Sequence, residues 1–412
     1  MKWSYIIISI LVWGACCMYA QTSIDQWLLS ANQDPAVIHQ NSLMQFRKNH
    51  PQTLKLLDKI ELRTQTDEFA LNQQQYSLRF SGTRWSELKA QKSKETLDQE
   101  FIQLDADEVL LKALMDRYTM LLDIYLMQQE IQLLQEQDAF NTKKIKYLES
   151  LIQHQVQDDI KDWIQSLHKN DRLTLRKNQL IQKRERLYQE MQTMGLAGNL
   201  EIIPNFWIQP EEILKVGALL KTDLSHHTKV KAFYLDQMQL AQERAQKKSE
   251  QWDILNFVQA RWRNNSNDEF FKEKFAIGAG FKLPYSGSDR KDQHDFQFKE
   301  YKIKLEEEAW RRDYQLKSST LFEDISSSYQ LIQQEKARLN LFKQKFSNNT
   351  ILLQATDHLL IEETILDMKD RIRELTHKLY TTYLQYLIHA QWISHRPLKN
   401  YFYSNLPDLG VE

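Results

Sequence analysis

The stretch KFAIGAGFKLPYSG, Lys274 to Gly287, alternates in character from residue to residue. Phe275, Ile277, Ala279, Phe281, Leu283 and Tyr285 fall on one face of an extended strand, and Ala276, Gly278, Gly280, Lys282 and Pro284 on the other, because strand side chains alternate with period two. One face is large and apolar, the other small or polar. A water-soluble sheet would turn the apolar face inward. A membrane β-barrel turns it toward lipid, and about 9–11 tilted residues suffice to cross a bilayer. Taken alone, the segment reads first as an ordinary half-buried strand; the rest of the chain has to make the case for a spanning one.

Three further segments repeat the pattern. In Ile60 to Leu71, Ile60, Leu62 and Thr64 oppose Glu61, Arg63 and Gln65. In Gln75 to Ser81, Tyr76, Leu78 and Phe80 oppose Gln75, Ser77, Arg79 and Ser81. In Ile254 to Arg263, Val258, Ala260 and Trp262 oppose Gln259, Arg261 and Arg263. Around these strands the chain reads as helix. Only 9 Gly and 7 Pro in 412 residues leave few breakers, so long uninterrupted helices are expected. Ser86 to Met194 carries Ala113, Met120, Met127 and Leu134, then Leu173, Leu180, Leu187 and Met194, at heptad spacing. A polar stretch at His154 to Asp162 predicts a reversal into two antiparallel helices of roughly 50 residues each, far beyond the globular average. Val216 to Glu250 reads as one helix, and Leu321, Ile325, Ile332 and Leu339, then Ile372, Leu375, Leu379 and Tyr386, mark two more.

The N-terminus has the layout of an export signal: Lys2, an apolar run from Ile6 to Ala15, and a cleavage point at Ala20-Gln21. A lipoprotein signal at Cys16 competes with it, although Trp13 stands where a branched aliphatic residue is normally required. Both cysteines, Cys16 and Cys17, lie in this segment, so the mature chain would hold no thiol. No later stretch reads as a transmembrane helix, and any crossing would fall to strands. A net charge of -1 argues against nucleic-acid binding.

The order of elements recurs at an offset of about 200 residues, each half being helix, strand pair, long helix, turn, long helix. The two turns are matched through Val156-Gln157-Asp158-Asp159-Ile160-Lys161-Asp162 and Ile361-Glu362-Glu363-Thr364-Ile365-Leu366-Asp367. The expected organisation is a signal peptide at 1–20, a first repeat at 21–200, a linker at 201–215, a second repeat at 216–395 and a tail at 396–412.

This tandem arrangement resembles the TolC family of outer-membrane efflux proteins over nearly all of the mature chain. The resemblance is carried by ALLKTDLSHHTKVKAFYLDQMQLAQERAQ from Ala218, GAGFKLPYSGSDR from Gly278, LLIEETILDMKD from Leu359 and WLLSANQDPAV from Trp27, where Asp34-Pro35 replaces the family's Asn-Pro. It implies a mainly α fold with membrane β, and a homotrimer in which each chain gives four strands to a twelve-stranded barrel continuous with a periplasmic α-helical barrel. It further implies an outer-membrane location in a Gram-negative bacterium with most of the chain in the periplasm. The function implied is an exit duct for small molecules or polypeptides in efflux or type I secretion, with a periplasmic adaptor and an inner-membrane pump as partners and outer-membrane lipid around the strands. Four strands alone cannot close a barrel, and open edges are not tolerated in lipid, which agrees with sharing between copies.

By the same resemblance, Asp367 and Asp370 match the pore-facing aspartates of the tunnel entrance, and Asp162 the first-repeat aspartate that helps hold it shut. Gln157, Asp158, Asp159, Glu362, Glu363 and Thr364 would meet the adaptor, and Phe275, Ile277, Phe281 and Leu283 would face lipid. Glu363 stands where the family can carry a basic residue that locks the closed state. Against these roles, the acids also read as a solvated helix turn or as N-terminal stabilisers. His226-His227 reads as a solvated pair, since adjacent histidines point to different helix faces. Asn264-Asn265-Ser266 and Asn348-Asn349-Thr350 match a glycosylation triplet that matters only in a eukaryotic secreted protein. No catalytic constellation, cofactor motif or metal cluster is found, so the chain reads as a non-enzyme without cofactor. The alternative is an exported coiled-coil scaffold or adaptor that forms no pore. It leaves the four alternating strands unexplained.

Overall fold

The computed structural model describes residues 24–409 apart from 52–56, 67–73, 83–84, 154–158, 197–199, 201–206, 221–223, 225, 252–254, 264–274, 282–288, 348–354 and 405. The expected export signal, both asparagine triplets and Leu283 lie outside the described residues. Helical residues 24–29 and a 3-10 turn, Ser30–Gln33, lead into α1 (Pro35–Asn49). Pro35 occupies the first helical position, where its missing N–H costs nothing, and Asp34 Oδ1 accepts the Ala36 amide at 3.1 Å. Then follow β1 (Leu57–Thr66), β2 (Gln74–Gly82), α2 (Trp85–Gln153) and α3 (Asp159–Thr193). Gly195, at φ 101°, ends α3, and the Leu196 amide reaches back to the Met191 carbonyl at 2.9 Å. The second series is α4 (Pro210–Leu219), α5 (Thr228–Gln251), β3 (Leu255–Arg263), β4 (Phe275–Phe281), α6 (Asp289–Ser347) and α7 (Ala355–His389).

The series therefore repeats as expected, with two corrections. The hairpin arms are unequal, 69 and 35 residues in the first repeat and 59 and 35 in the second, because the breaker-free sequence lets α2 and α6 run far beyond the start of their partners. The helix expected over Val216 to Glu250 is broken between Leu219 and Thr228. Thr222, Asp223 and Ser225 lie in that interval, and such side chains compete for backbone hydrogen bonds.

The chain divides into two compact units, and α1, α2 and α6 contribute residues to both. The first takes the chain up to His39, Asp107–His227 and Asp313 onward. Its core is aromatic. Trp207 stacks on Tyr125 at 4.1 Å and on Phe402 at 4.7 Å, while the Tyr380 hydroxyl donates to the Ile208 carbonyl and the Tyr383 hydroxyl to the Tyr401 carbonyl. Arg117, only 1% exposed, is fixed inside this unit. It donates to Ser30 Oγ (3.1 Å), to the Ser30 and Ala113 carbonyls (3.1 and 3.0 Å) and to Asp34 Oδ2 (3.4 Å), so its buried charge is both paired and hydrogen-bonded. Burial pulls its guanidinium below the usual arginine value, and Asp34 works against that shift.

The segment expected as a C-terminal tail is part of this core. Leu398, Tyr401, Phe402, Tyr403 and Leu409 are buried, and the Ile208 amide donates to the Phe402 carbonyl at 2.8 Å. Its run of aromatic residues supplies apolar area that a solvated tail would not carry.

The second unit takes Gln40–Ala106 and Thr228–Arg312. Its strands form one antiparallel sheet in the order β1-β2-β3-β4, so the hairpins of the two repeats join through β2 and β3. Its helices share a small core of Leu97, Leu104 and Leu235 with Phe101 and Ala232 packed against it.

Candidate functional site

The register of the sheet sorts its side chains by face. On one face Ile60, Phe80, Val258 and Ala279 form a cross-strand row; Leu62, Leu78, Ala260 and Ile277 form the next, and Thr64, Tyr76, Trp262 and Phe275 the third. On the other face the rows are Glu61, Arg79, Gln259, Gly278 and Arg63, Ser77, Arg261, Ala276. The apolar rows carry no charge and are uncovered: Ile277 is 74% and Leu62 71% exposed, and Phe275, Ile60, Phe80, Val258 and Trp262 are exposed as well. Contiguous apolar surface of this kind marks contact with a partner or with lipid. Among the described residues β1 and β4 each have one neighbour, so the sheet as described ends in two open edges. Of the four residues expected to meet lipid, Phe275 and Ile277 lie on this face, Phe281 is described only as backbone, and Leu283 lies outside the described residues.

The glycines of β4 have a packing cause. The Phe257 ring lies over Gly280, where a Cβ would come within 2.1 Å of it, and the Gln259 side chain lies over Gly278. Neighbouring β3 side chains thus occupy the space that β4 leaves.

The hairpin helices correct one sequence expectation. Ile361 to Asp367 is not a turn: α7 begins at Ala355, so Glu362, Glu363, Thr364 and Asp367 are helical. Asp162 lies three residues from the start of α3 and Asp367 twelve from the start of α7, so the two acidic stretches are not equivalent. The cause is physical, since Ile361 to Asp367 contains neither Gly nor Pro and nothing in it interrupts a helix. Gln157 and Asp158 lie outside the described residues, and Asp159 opens α3. Asp162 and Asp367 are exposed. Asp370 is instead engaged by Arg373 at 2.8 Å, and Arg373 also faces Glu130 at 3.6 Å.

Glu363 joins three helices. Its two carboxylate oxygens meet Lys144 of α2 at 2.8 Å and Lys169 of α3 at 2.7 Å. Partial burial works against the ionised form, yet the two ammonium groups hold this carboxyl below the usual glutamate range. Glu362 with Lys143, and Lys369 with Glu136, add further links between α7 and α2.

His226 and His227 are not a solvated pair. They precede α5 in the chain rather than lying within a helix, so the helical-face argument does not apply. His227 is buried edge-on against Tyr314 at 5.5 Å, and burial lowers its pKa to about 4. His226 is held by a segment distant in the chain: its Nε2 lies 2.9 Å from the Ala390 carbonyl, and its ring packs on Trp392. Among the described residues no group of three or more His, Cys, Asp or Glu could hold a metal. No described helix is long and apolar enough to cross a membrane.

No protein-family model matches the chain, and no curated protein sequence is significantly similar to it. Solved structures do match. The outer membrane protein VceC of Vibrio cholerae superposes over 90% of this chain and 96% of its own, with a TM-score of 0.57 at 11% identity. CusC, whose structures concern transmembrane channel formation, covers 90% of this chain and 92% of its own at a TM-score of 0.54 and 9% identity. The CmeC outer membrane channel of Campylobacter jejuni covers 90% and 85% at a TM-score of 0.52 and 10% identity.

The chain has the TolC-like fold.

Within the TolC-like fold, the residues that sequence reading missed are fasteners between elements distant in the chain. Arg117 ties the start of the first repeat to α2, and Lys144 and Lys169 meet at Glu363. The second set had a faint signal in the basic pair Lys143-Lys144 and the acidic pair Glu362-Glu363, but which helices bring them together could not be read from the sequence. Arg117 had none, because a single arginine in a heptad helix reads as solvated.

Proposed function

We propose that the chain is one subunit of a homotrimeric outer-membrane channel, the exit duct of an efflux or type I secretion system. Its four strands join those of two further copies in a twelve-stranded barrel, apolar rows toward lipid and polar rows toward the lumen. Its long helices form the periplasmic part of the duct and meet a periplasmic adaptor coupled to an inner-membrane pump. Gln157, Asp158 and Asp159 at the first helix break belong to the adaptor contact, and Asp162 and Asp367 line the constriction. Asp370, neutralised by Arg373, contributes little free charge there.

The observation that carries this reading is the division of the sheet into an uncovered, uncharged face and a polar face, with both edges open, on a TolC-like fold. Lipid accepts such an apolar face, and copies of the chain satisfy such edges. A pore-free scaffold would hold the same rows against water.

The test places an arginine on each face of one strand. Ile277→Arg should cost about 2–4 kcal/mol at the bilayer midplane and deplete heat-resistant oligomer from the outer-membrane fraction. Ala276→Arg, one residue away on the polar face, should leave it intact. Equal tolerance at both positions would refute a membrane strand.

A further inference from the structure

The polar face of the sheet is strongly one-sided in charge. Among the described side chains, Lys59, Arg63, Arg79 and Arg261 share it with one acid, Glu61, which is taken up between Lys59 and Arg63, the latter at 2.6 Å. Among the described residues, neither Arg79 nor Arg261 has a carboxylate within the 4.0 Å of an ion pair. Arg79 is held another way. Its guanidinium lies 3.3 Å over the centre of the Phe257 ring, and that ring in turn covers Gly280. The stack runs from β2 over β3 to β4, and it fixes the guanidinium by its flat face. What stacking does not use are the N–H donors at the edge, and Arg79 Nε is buried without an acceptor. Gln75, buried on the same face, likewise has an amide nitrogen without an acceptor. Arg261 sits in the adjacent row, exposed, with Ser77 between it and Arg63.

We infer that this face selects for anions, and that the solutes leaving through the duct are negatively charged compounds such as polycarboxylates or organic phosphates. The inference rests on the channel reading above, which turns this face toward the lumen. An arginine whose plane is stacked and whose Nε has no acceptor is held ready for a carboxylate or phosphate group, because both offer oxygens that match guanidinium N–H donors. Repetition of the sheet around a closed barrel turns isolated arginines into a cationic belt. Such a ring lowers the barrier for anions and raises it for cations. The contrast with Arg63 sharpens the assignment, since the Arg63 edge is already occupied by Glu61.

The test uses the full-length protein in planar bilayers, with citrate as the anionic probe. Citrate should block the wild-type current from the side of the sheet; the overall preference between chloride and potassium is set jointly with Asp162 and Asp367 at the proposed constriction, so the belt is read as the change between wild type and variant. The double variant Arg79→Gln/Arg261→Gln should shift the reversal potential toward cations and raise the half-blocking citrate concentration about tenfold or more, as expected for loss of charge-assisted hydrogen bonds. Arg63→Gln should change citrate block much less. Channels that form normally but keep wild-type selectivity and block in the double variant would overturn the anion assignment while leaving the channel reading intact. Absence of any channel from wild type would overturn both. Should the double variant fail to assemble, Arg261→Gln alone decides the matter, because Arg261 takes no part in the stack and its loss must still weaken block.

Discussion

The aromatic core around Trp207 and the four-stranded sheet are opposite solutions within one chain. In the core the large side chains pack on one another inside the molecule: Tyr125, Tyr380 and Phe402 pack on Trp207, and even the Arg117 guanidinium is met by carbonyls, a hydroxyl and a carboxylate. In the sheet the backbone ladder is satisfied between strands, yet among the described residues the apolar face has no cover and each outer strand has a neighbour on one side only. One region is closed by its own sequence. The other leaves an uncharged face uncovered, which the channel reading proposed above completes with lipid and further copies of the chain.

If the core is self-contained, its energetics should not depend on assembly. Trp207→Ala should cost about 3–5 kcal/mol, the usual loss for a large buried aromatic, read as a shift of the denaturation midpoint. The same loss should be found in detergent-dispersed subunits and in the assembled oligomer. A loss confined to the oligomer would place Trp207 at an interface and erase the contrast between the two regions.

A somewhat smaller effect concerns pH. His227 is buried as neutral imidazole with its pKa lowered to about 4, chiefly by desolvation, with His226 and His389 adding repulsion. His389, stacked on Tyr314, is shifted in the same direction by burial. The unfolded chain therefore takes up protons that the folded chain refuses. Stability should be full above about pH 6.5, should fall as pH drops through the unfolded histidine range, and should stop falling near pH 4, with about 3 kcal/mol from His227. His227→Phe, which keeps a ring against Tyr314, should flatten this slope in denaturation midpoints taken across the window. An unchanged slope would show that His227 is protonated in the folded state.

The sequence made the sheet legible and the core opaque, for a physical reason. Strand faces are written locally, with period two, so Phe275 to Ala279 could be divided by inspection, and the other three strands supplied the same division. Why β4 holds Gly278 and Gly280 could not be read, because the answer lies in Gln259 and Phe257 of the neighbouring strand and appears only once the register is known. The core joins Tyr125, Trp207, Tyr380 and Phe402, residues far apart in the chain with no shared periodicity. The second helix break was misplaced because VQDDIKD and IEETILD match in residue type while differing in distance from their helix starts. Similar residue types do not mark equivalent positions here. Glu363 shows what was lost by this, since its role is set by Lys144 and Lys169 and not by a turn.

The central claim is that the uncovered rows of the sheet meet lipid and the polar rows meet water. Single cysteines at Phe275, Ala276, Ile277, Gly278 and Ala279 test it directly, in a background where Cys16 and Cys17 are removed, with protein in native outer membranes. Fluorophores at 275, 277 and 279 should be quenched by a lipid-confined nitroxide, while cysteines at 276 and 278 should react with a membrane-impermeant thiol reagent admitted to the lumen, a strict alternation along the strand. Ready aqueous reactivity at all five positions would contradict the account, because it would put both faces of the sheet in water.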